Sequence, residues 1–415
     1  MGTWVGSLRQ RALRPLRSPR LLAAADRVLL TRRNTAGPRD DGAHHVVLAP
    51  AGGGNIGDQA LVEAFIENVA GRVTVICRRP TDYAQHDDPR VAILPLLSLV
   101  YGDLVGHVRD LGPFRRALRS ATSFSVIGAD VMDGGYGFRA STNRANLARR
   151  VAELGVDSRI LGFSWNASPH PTASRAVRDA ARHGVTTVLR DPRSAARARA
   201  DGIAPIVDGS DIVFLAQSVD EHTADAWADR VSAPLALVNF SGLVPSDDGL
   251  EPYVQVVRTL RERHHGVLLI PHVSRPGADD LPICRAVAET FGDDPDVVLV
   301  DRLLAPAAIR GLTHRARVVV TGRMHLAVMS LMNGVPAVTV ATQGKVEGLM
   351  DLFGTPGLCV SPDALASSLA LVAGQTADAA EALSAQIGER LASVTESAGR
   401  NFAGLPQRDR TVAPG

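Results

Sequence analysis

The chain has 415 residues, of which 45% are hydrophobic and 21% are charged; this composition is typical of folded domains with a sizeable core and excludes a disordered or fibrous protein. Lys and Arg number 45 against 43 Asp and Glu, so the net charge of +2 gives no global basic field for nucleic acid. The three cysteines, Cys77, Cys284 and Cys359, lie far apart without metal-ligand spacing, which indicates a reduced, cytoplasmic chain. No apolar run approaches the ~18 residues of a spanning helix. Arginines interrupt the apolar stretches near the N-terminus, so we also expect no signal peptide.

Residues 1–42 are rich in arginine and contain Pro15, Pro19 and Pro38, which predicts a loosely ordered extension. Leucines alternate with these arginines and predict a short surface helix. One interpretation is a basic amphipathic helix that contacts the inner face of an anionic membrane. The other is a solvated tail, or a helix packed on its own domain. The leucines concerned are Leu13, Leu16, Leu21 and Leu22.

From His44 onward, short apolar runs alternate with helical patterns. Strands are predicted at 45–49, 73–77, 124–127, 159–163 and 186–189, and helices at 57–69, 143–154 and 172–182. A connection at 209–232 follows, and the alternation then restarts with strands at 235–239, 267–270, 297–300, 318–321 and 335–340 and helices at 252–263 and 324–332. Largely apolar strands separated by helices are typical of parallel sheets covered on both faces. We therefore predict an α/β protein with two Rossmann-like parallel-sheet domains that face a cleft.

These patterns predict the domain limits. After the extension at 1–42, an N-terminal α/β domain occupies 43–215 and a C-terminal α/β domain occupies 216–375. The segment 376–415 holds one Ala- and Glu-rich helix at 376–394 and a tail that we expect to be frayed from residue 401.

A glycine-rich turn joins the first strand to the first helix. Gly52, Gly54 and Gly57 match the G-x-G-x-x-G spacing of dinucleotide sites. The second strand runs into Arg78 and Arg79 rather than an acidic residue, which leaves an NADP site open.

Asp58 argues against a dinucleotide. It lies in the first turn of the helix, where it would repel an incoming pyrophosphate. A loop whose glycines let the backbone approach a neutral ligand is the alternative, and Asn55 and Asp58 would then bind hydroxyl groups. A tight turn with Asp58 at a helix start is the purely structural interpretation.

A second strand–turn–helix segment carries cationic side chains. Arg323 and His325 fall at a helix start, whose free amides and dipole favour an anion. Arginine presents a planar fork to carboxylate or phosphate, and histidine is suited to proton transfer near neutral pH. Lys345 is the only lysine in the sequence and opens the next helix, so it should face the same crevice. The three predict an anion site with a proton donor, with a surface arginine and a core histidine as the alternative.

Two further candidates follow strands. Arg190 comes directly after the strand at 186–189 and is a second anion-binding candidate; the alternative is an ion pair with Asp191 or a neighbouring helix. His272 lies just past the strand at 267–270, which also places it at a carboxyl end of a sheet.

In their order and spacing, several segments resemble the polysaccharide pyruvyl transferase family. The resemblance covers roughly residues 46–355. Two positions depart from the family pattern: its Gly-Gly-Gly turn is Gly128-Ala129-Asp130 here, and its Arg-Leu-His is Arg323-Met324-His325. The segments that carry the resemblance are 55–58, 188–194, 207–208, 322–325, 334–336 and 345–346.

The resemblance implies a two-domain fold similar to glycosyltransferase-B enzymes. It also implies transfer of a pyruvyl group from phosphoenolpyruvate to two hydroxyls of a sugar, which gives a cyclic ketal. His325 would be the general acid, and the N-terminal domain would bind the acceptor and the C-terminal domain the donor. The donor-binding residues would be Arg323, Lys345, Arg190 and His272, and the acceptor-binding residues Asn55, Asp58, Asp130 and Asp133.

This interpretation needs no cofactor or metal, and its partners are phosphoenolpyruvate and a sugar acceptor rather than nucleic acid. The acceptor sugar and the oligomeric state stay open. One alternative is a nucleotide-sugar glycosyltransferase of the same architecture, in which Arg323 and Lys345 hold a diphosphate. Another is a non-catalytic protein that binds a sugar or an anion without turnover.

Overall fold

The structure is a computed structural model that describes residues 15–35, 42–83, 87–242, 249–341 and 344–408. In this part of the chain, thirteen strands form two sheets whose neighbouring strands are all parallel. The two predicted parallel-sheet domains are therefore confirmed. The chain passes from the first sheet to the second between Asp208, where the last strand of the first sheet ends, and Leu235, where the first strand of the second sheet begins.

The first sheet has the strand order β3-β2-β1-β4-β5-β6-β7. Its order reverses between β1 and β4, and at such a switch point ligands bind beyond the carboxyl ends of the strands. All residues of β1 and β4 are buried. The strands are β1 His44–Leu48, β2 Arg72–Cys77, β3 Val91–Pro95, β4 Ser123–Ala129, β5 Asp157–Phe163, β6 Thr186–Leu189 and β7 Val207–Asp208.

The second sheet repeats this arrangement in the order β10-β9-β8-β11-β12-β13, with its switch point between β8 and β11. The strands are β8 Leu235–Asn239, β9 Gly266–Leu269, β10 Val297–Leu299, β11 Ala316–Thr321, β12 Ala337–Val340 and β13 Cys359–Val360. The predicted strands all occur within two residues of their predicted ends. The edge strand β3 and the two-residue strands β7 and β13 were not predicted, because short or half-buried runs leave little hydrophobic pattern.

Helices join the strands and cover both faces of the first sheet. In β1, Val47 packs into one apolar cluster, whereas Val46 and Leu48 pack into another on the opposite face. The helices are α1 Pro19–Leu29, α2 Arg32–Thr35, α3 Ile56–Asn68, α4 Leu97–Tyr101, α5 Leu104–Leu118, α6 Phe138–Glu153, α7 Pro171–Arg182, α8 Pro192–Ala200, α9 Glu221–Ala228, α10 Glu251–Arg261, α11 Leu281–Glu289, α12 Pro306–Arg315, α13 Met324–Leu331, α14 Lys345–Phe353, α15 Leu365–Asp378 and α16 Ala380–Gly399. None of these described helices has both the length and the apolar composition to cross a membrane.

The N-terminal helix α1 packs on its own domain, as one of the two interpretations of this segment predicted, and the prediction of a loosely ordered extension is wrong for this part of it. Leu22 is buried, and Asp26 forms an ion pair with the buried His107, with 2.8 Å between Oδ1 and Nε2. Arg150 on α6 donates from Nε to the carbonyl oxygen of Leu30 at 3.0 Å. Residues 1–14, with Leu13, and 36–41 lie outside the described part.

The C-terminal segment also differs from its prediction. A break at Ala379 divides the predicted single helix at 376–394 between α15 and α16. Residues 401–408 are docked rather than frayed, because Asn401 is fully buried against the first domain. Its Oδ1 accepts from the Gly162 amide at 2.8 Å, and its Nδ2 donates to the Ser210 carbonyl at 3.0 Å. The chain thus returns to its first sheet, while residues 409–415 lie outside the described part.

Candidate active site

A cavity of about 750 Å³ lies between the carboxyl ends of the two sheets and is lined by both halves of the chain. Parallel strands end at the same edge of a sheet, so the residues that follow them come together here. Eight of the nine predicted site residues line this cavity: Asn55, Asp58, Asp130, Arg190, His272, Arg323, His325 and Lys345.

The glycine-rich turn holds the two halves together. Gly54 has a positive φ of 74°, and an added Cβ would lie 2.2 Å from the carbonyl oxygen of Ser274 in the second half. The Ser274 amide donates to the Gly54 carbonyl at 2.8 Å, and Asn55 forms an antiparallel bridge with Val273. The backbones of two domains therefore meet where a dinucleotide phosphate would otherwise approach, which gives the glycine spacing a structural cause.

Gly57 has a different neighbour, the imidazole of His325. A Cβ at Gly57 would lie 2.4 Å from Nδ1 of that ring, closer than real contacts allow. The glycine therefore leaves the space in which His325 sits against α3.

Asn55 and Asp58 occupy the start of α3, but both side chains already have partners. Asn55 caps the helix, with its Oδ1 accepting from the Gly57 amide at 2.9 Å. Asp58 pairs with Arg275, 2.7 Å between Oδ2 and Nη2, and Arg275 also donates to the Gly53 carbonyl at 2.7 Å. Burial raises the pKa of Asp58, an effect that the charge of Arg275 partly offsets.

Arg323 precedes α13 and is held by a carboxylate that the sequence analysis did not identify. Its Nε lies 3.1 Å from both oxygens of Asp280, and its Nη2 donates to the Ala278 carbonyl at 2.8 Å. Asp280 is fully buried and also accepts from the amides of His272 and Val273 at 3.1 and 3.0 Å. These contacts fix the guanidinium in place. Its Nη1 makes no hydrogen bond to any described residue and is therefore the nitrogen that can bind a ligand.

Lys345 reaches across the cleft to Asp130. The ammonium donates to Oδ2 of Asp130, to which the Tyr136 hydroxyl also donates at 3.2 Å. Burial by itself would raise the pKa of Asp130, but the charges of Lys345 and Arg190 and the hydrogen bond from Lys345 together outweigh burial and lower that pKa. Asp130 and Tyr136 in turn raise the pKa of Lys345 against the effect of burial. Both groups are therefore charged. The residue before this aspartate, Ala129, has a left-handed φ of 45°, a conformation that glycine adopts without strain and that explains why the family pattern has glycine in this turn.

His325, Asp211 and Arg190 form a line of polar side chains. Nε2 of His325 lies 3.4 Å from Oδ2 of Asp211, which pairs with Nη1 of Arg190 at 2.8 Å. Burial alone would raise the pKa of Asp211, but attraction from His325 and Arg190 lowers it to about 2. Arg190 also donates from Nε to the Ser164 hydroxyl at 2.8 Å. Its partner is therefore Asp211, and not Asp191, which caps α8 by accepting from the Ser194 amide at 2.8 Å.

His272 is buried, and neither ring nitrogen has a hydrogen-bond partner among the described residues. Burial lowers the pKa of His272 well below its usual value, and repulsion from His325 and Arg323 lowers it further. Its imidazole is therefore neutral, and it offers a ligand a hydrogen bond rather than a charge.

Two acidic residues of the sequence analysis lie elsewhere. Asp133 is buried in the turn after β4, where its Oδ1 accepts from the Gly135 amide at 2.8 Å, and it is not among the residues that line the cavity. Asp208, which resembled a family position, is exposed and pairs with Arg199 at 2.6 Å. The acidic residue of this segment that reaches the site is Asp211.

A second group of cavity residues, which we call the Tyr101 cluster, consists of Arg78, Tyr101 and Arg144. The guanidinium carbons of Arg78 and Arg144 lie 4.9 and 5.2 Å from the centre of the Tyr101 ring. Arg144 also donates from Nη2 to the Tyr101 hydroxyl at 2.6 Å. Neither arginine forms an ion pair with any described residue.

We call Arg190, Arg323 and Lys345, with their carboxylates, the paired cluster.

Sequence reasoning missed Asp211, Asp280, Arg275 and the Tyr101 cluster as site residues. Asp211 and Asp280 each stand directly before a helical turn, which is the pattern of an ordinary N-cap. That signal predicts a local role and says nothing about a partner far away in the sequence. Among the described residues, no group of three or more His, Cys, Asp or Glu side chains is arranged to hold a metal ion.

Comparison with known proteins agrees with this site. The family model for polysaccharide pyruvyl transferase matches residues 55–344, from the helix cap at Asn55 to the residue before Lys345. The chain belongs to this family. It is therefore a transferase that modifies polysaccharides. A search of curated proteins gave no match.

Solved structures show the same fold. HepE of Anabaena, in complex with UDP and glucose, is similar over 87% of this chain and 99% of its own, with a TM-score of 0.53 and 13% identity. The UDP-GlcNAc 2-epimerase of Neisseria meningitidis, bound to UDP-GlcNAc, is similar over 86% of this chain and 98% of its own, with a TM-score of 0.52 and 9% identity. At such low identity the likeness concerns the fold alone, which is the predicted fold similar to glycosyltransferase-B enzymes.

Proposed function

We propose that this member of the polysaccharide pyruvyl transferase family uses phosphoenolpyruvate as its donor and forms a cyclic pyruvate ketal on two hydroxyls of a sugar. The observation that carries the proposal is the meeting of Arg323, His325 and Lys345 at the ends of the adjacent strands β11 and β12, in one cavity of a family member. A donor with one carboxylate and one phosphate needs fixed cations and a proton source, and these three side chains supply both.

The donor would lie against the start of α13. The first amides of a helix have no partners within it and favour an anion, and Nη1 of Arg323 adds a planar donor beside them. Lys345 begins α14 and adds a point charge from the next strand end. Arg190 and the neutral His272 line the same cavity and complete the donor set.

His325 is the general acid in this proposal. Its Nε2 faces Asp211, which remains a carboxylate because its pKa is about 2. The carboxylate lies beside the ring, while Nδ1 makes no hydrogen bond to a described residue and is the nitrogen that can deliver a proton. Asp211 and Arg190 act as positioning residues for this ring.

The reaction balances without any further reactant. His325 protonates the methylene carbon of the enol, and the first sugar hydroxyl forms a bond to the adjacent carbon as it loses its proton. The bond from that carbon to the phosphate oxygen then breaks, and phosphate leaves with the electron pair. The second hydroxyl adds to the resulting oxocarbenium ion and loses its proton, which gives the ketal. Of the two hydroxyl protons released, one replaces the proton from His325 and the other goes to phosphate.

The acceptor would face the N-terminal half of the cavity. Asp58 and Asp130 line it and can accept hydrogen bonds from sugar hydroxyls, and Asn55 lies beside them at the start of α3. Asp133 would not contact the acceptor but would stabilise the turn that carries Asp130 and Tyr136.

Calorimetry with phosphoenolpyruvate, together with phosphate release in the presence of candidate sugars, tests the proposal. We expect the donor to bind to the wild-type protein and phosphate release to require a sugar acceptor. The ketal would appear in mass spectra as a sugar product that carries the pyruvyl group. Absence of donor binding, combined with nucleotide-dependent thermal stabilisation, would overturn the proposal and favour a nucleotide-sugar glycosyltransferase.

A further inference from the structure

The Tyr101 cluster carries two positive charges that no carboxylate among the described residues balances. Arg144 is only 1% exposed, yet its Nε has no hydrogen-bond partner among the described residues, and the same holds for the buried Nε of Arg78. An arginine cannot shed its charge when buried, because its pKa is far above physiological pH. A buried cation without a carboxylate is costly, and an anionic ligand would remove this cost.

The other cations of the cavity differ from Arg78 and Arg144, because they have carboxylate partners. Arg190, Arg275, Arg323 and Lys345 line the same cavity, and each has a carboxylate partner within the chain. Tyr101 meets the two remaining guanidiniums with its ring and its hydroxyl oxygen, which hold them in place but carry no formal charge.

A neighbouring groove extends the cavity beyond this cluster. It has a volume of about 330 Å³ and shares Tyr101, Tyr136, Gly137 and Ala140 with the main cavity. Its walls add Arg17 and Arg139, which form no ion pair with any described residue. A ligand whose anionic group lies between Arg78 and Arg144 would therefore have room to continue away from the reacting hydroxyls, along a basic wall.

We propose that Arg78 and Arg144 bind a phosphate group of the acceptor, so that the acceptor is a phosphorylated sugar of the glycosyl phosphate or diphosphate class. This inference rests on the proposed function, because it takes the donor to be phosphoenolpyruvate held by the paired cluster. Both arginines belong to the N-terminal half of the chain, one after β2 and one on α6, whereas Arg323 and Lys345 come from the C-terminal half. Arginine forks match the oxygens of phosphate, and two of them around one aromatic ring present several donors to one anion.

Calorimetric titration of the full chain with inorganic pyrophosphate, at saturating phosphoenolpyruvate, tests the site. We expect Arg78→Gln to weaken pyrophosphate binding about tenfold, the loss typical of a charge-assisted hydrogen bond, while its affinity for phosphoenolpyruvate stays unchanged. Arg144→Lys should weaken pyrophosphate binding less than Arg78→Gln, because it keeps the charge and loses the planar fork. Since Arg144 is buried, Arg78→Gln at a partly exposed position keeps the test valid if the Arg144 variant does not fold.

Arg230→Gln is the matched control. Arg230 also lies over an aromatic ring, with its guanidinium carbon 4.3 Å from the centre of the Trp227 ring, but it does not line the cavity. The Arg230→Gln substitution removes one positive charge and one cation–π contact, as Arg78→Gln does. We expect the Arg230→Gln variant to bind pyrophosphate with wild-type affinity.

Competition experiments identify the source of the phosphate. Under the proposal, a sugar 1-phosphate, a nucleoside diphosphate sugar or a short-chain prenyl diphosphate sugar displaces pyrophosphate, and the free sugar does not. The most effective of the three then shows which kind of group, attached to the acceptor through the phosphate, the neighbouring groove accepts.

Two outcomes would overturn the inference. One is equal pyrophosphate affinity in Arg78→Gln and the wild-type protein, and the other is a parallel loss of phosphoenolpyruvate affinity, which would assign these arginines to the donor. Failure of the proposed function gives a different pattern, in which phosphoenolpyruvate does not bind at all while pyrophosphate binding still depends on Arg78.

Discussion

The cations of the paired cluster and of the Tyr101 cluster line one cavity, yet they differ in whether a carboxylate of the chain neutralises them. In the paired cluster, Asp130, Asp211 and Asp280 each neutralise a cation, so those side chains are fixed before any ligand arrives. In the Tyr101 cluster, two guanidiniums share one ring and have no carboxylate in the described residues. Pairing favours precise placement for chemistry, and unpaired charge favours attraction for an anion.

The origin of the partners also differs. Lys345 pairs with Asp130, and His325 approaches Asp211, so parts of the paired cluster link the C-terminal half of the chain to the N-terminal half. The Tyr101 cluster lies wholly in the N-terminal half. A change in the paired cluster should therefore affect placement across the cleft, whereas a change at Tyr101 should affect ligand binding alone.

The largest expected effect is at His325. We predict that His325→Asn lowers turnover by roughly 10²–10⁴-fold, because it keeps a polar side chain and loses proton transfer. Donor affinity, measured by calorimetry, should change much less than in Arg323→Ala, which removes an anchoring cation. Near-normal turnover in His325→Asn would remove the general acid role from His325.

The next prediction tests the position of the His325 imidazole without removing any functional group. In Gly57→Ala the new Cβ would meet the imidazole of His325 at 2.4 Å and displace it. A shift of this kind costs on the order of 10²-fold in turnover. Gly388→Ala in α16, where an added Cβ meets nothing within 4 Å, is the control for a helical glycine and should retain activity. Equal activity of the two variants would show that the contact with α3 does not position His325.

A smaller effect is expected at Lys345. Lys345→Arg keeps the charge, but the planar guanidinium is wider than the ammonium that fits against Asp130, so we expect about a tenfold loss of turnover. Asp130→Asn is the companion variant, since it removes the carboxylate and frees the lysine. If Lys345→Arg matched the wild-type protein in turnover, Lys345 would supply charge alone.

Outside the cleft, a buried pair provides a comparison in which only stability should change. Asp26→Ala leaves Nε2 of the buried His107 without its partner, and we predict a loss of about 1–3 kcal/mol in the free energy of unfolding. Chemical denaturation measures the loss, and turnover on a soluble acceptor should remain normal. A change in stability below the error of that measurement would show that α1 contributes little to the first domain.

The smallest effect concerns pH and the contact between α3 and α12. Burial raises the pKa of Glu63 to about 7 despite the charge of Arg310, whose Nη2 lies 3.5 Å from the carboxylate. The folded state therefore binds this proton more tightly than the unfolded state, so stability should fall as pH rises from the usual glutamate range to about 7 and then level off. Denaturation midpoints across this range should vary less in Glu63→Gln, whereas Glu396→Gln at an exposed position should leave the wild-type profile unchanged. A Glu63→Gln profile identical to the wild type would contradict the assignment.

The sequence by itself determined the two-sheet architecture and most strand positions, because apolar runs and turn residues are local signals. It also identified Arg323, His325 and Lys345, since residues that follow parallel strands must gather at one edge of a sheet. The glycine spacing at 52–57 was visible too, but its cause was not. The contacts of Gly54 with Ser274 and of Gly57 with His325 join residues more than two hundred positions apart.

Only the tertiary structure decided which carboxylate faces which cation. The chain has 43 acidic residues, and nothing local in the sequence selects Asp211 for Arg190 or Asp280 for Arg323. Tertiary packing likewise placed α1 on its own domain and returned residues 401–408 to the first sheet. Ion pairs and docked segments depend on distances that arise when the two halves fold against each other, whereas strands and caps depend on neighbours along the chain.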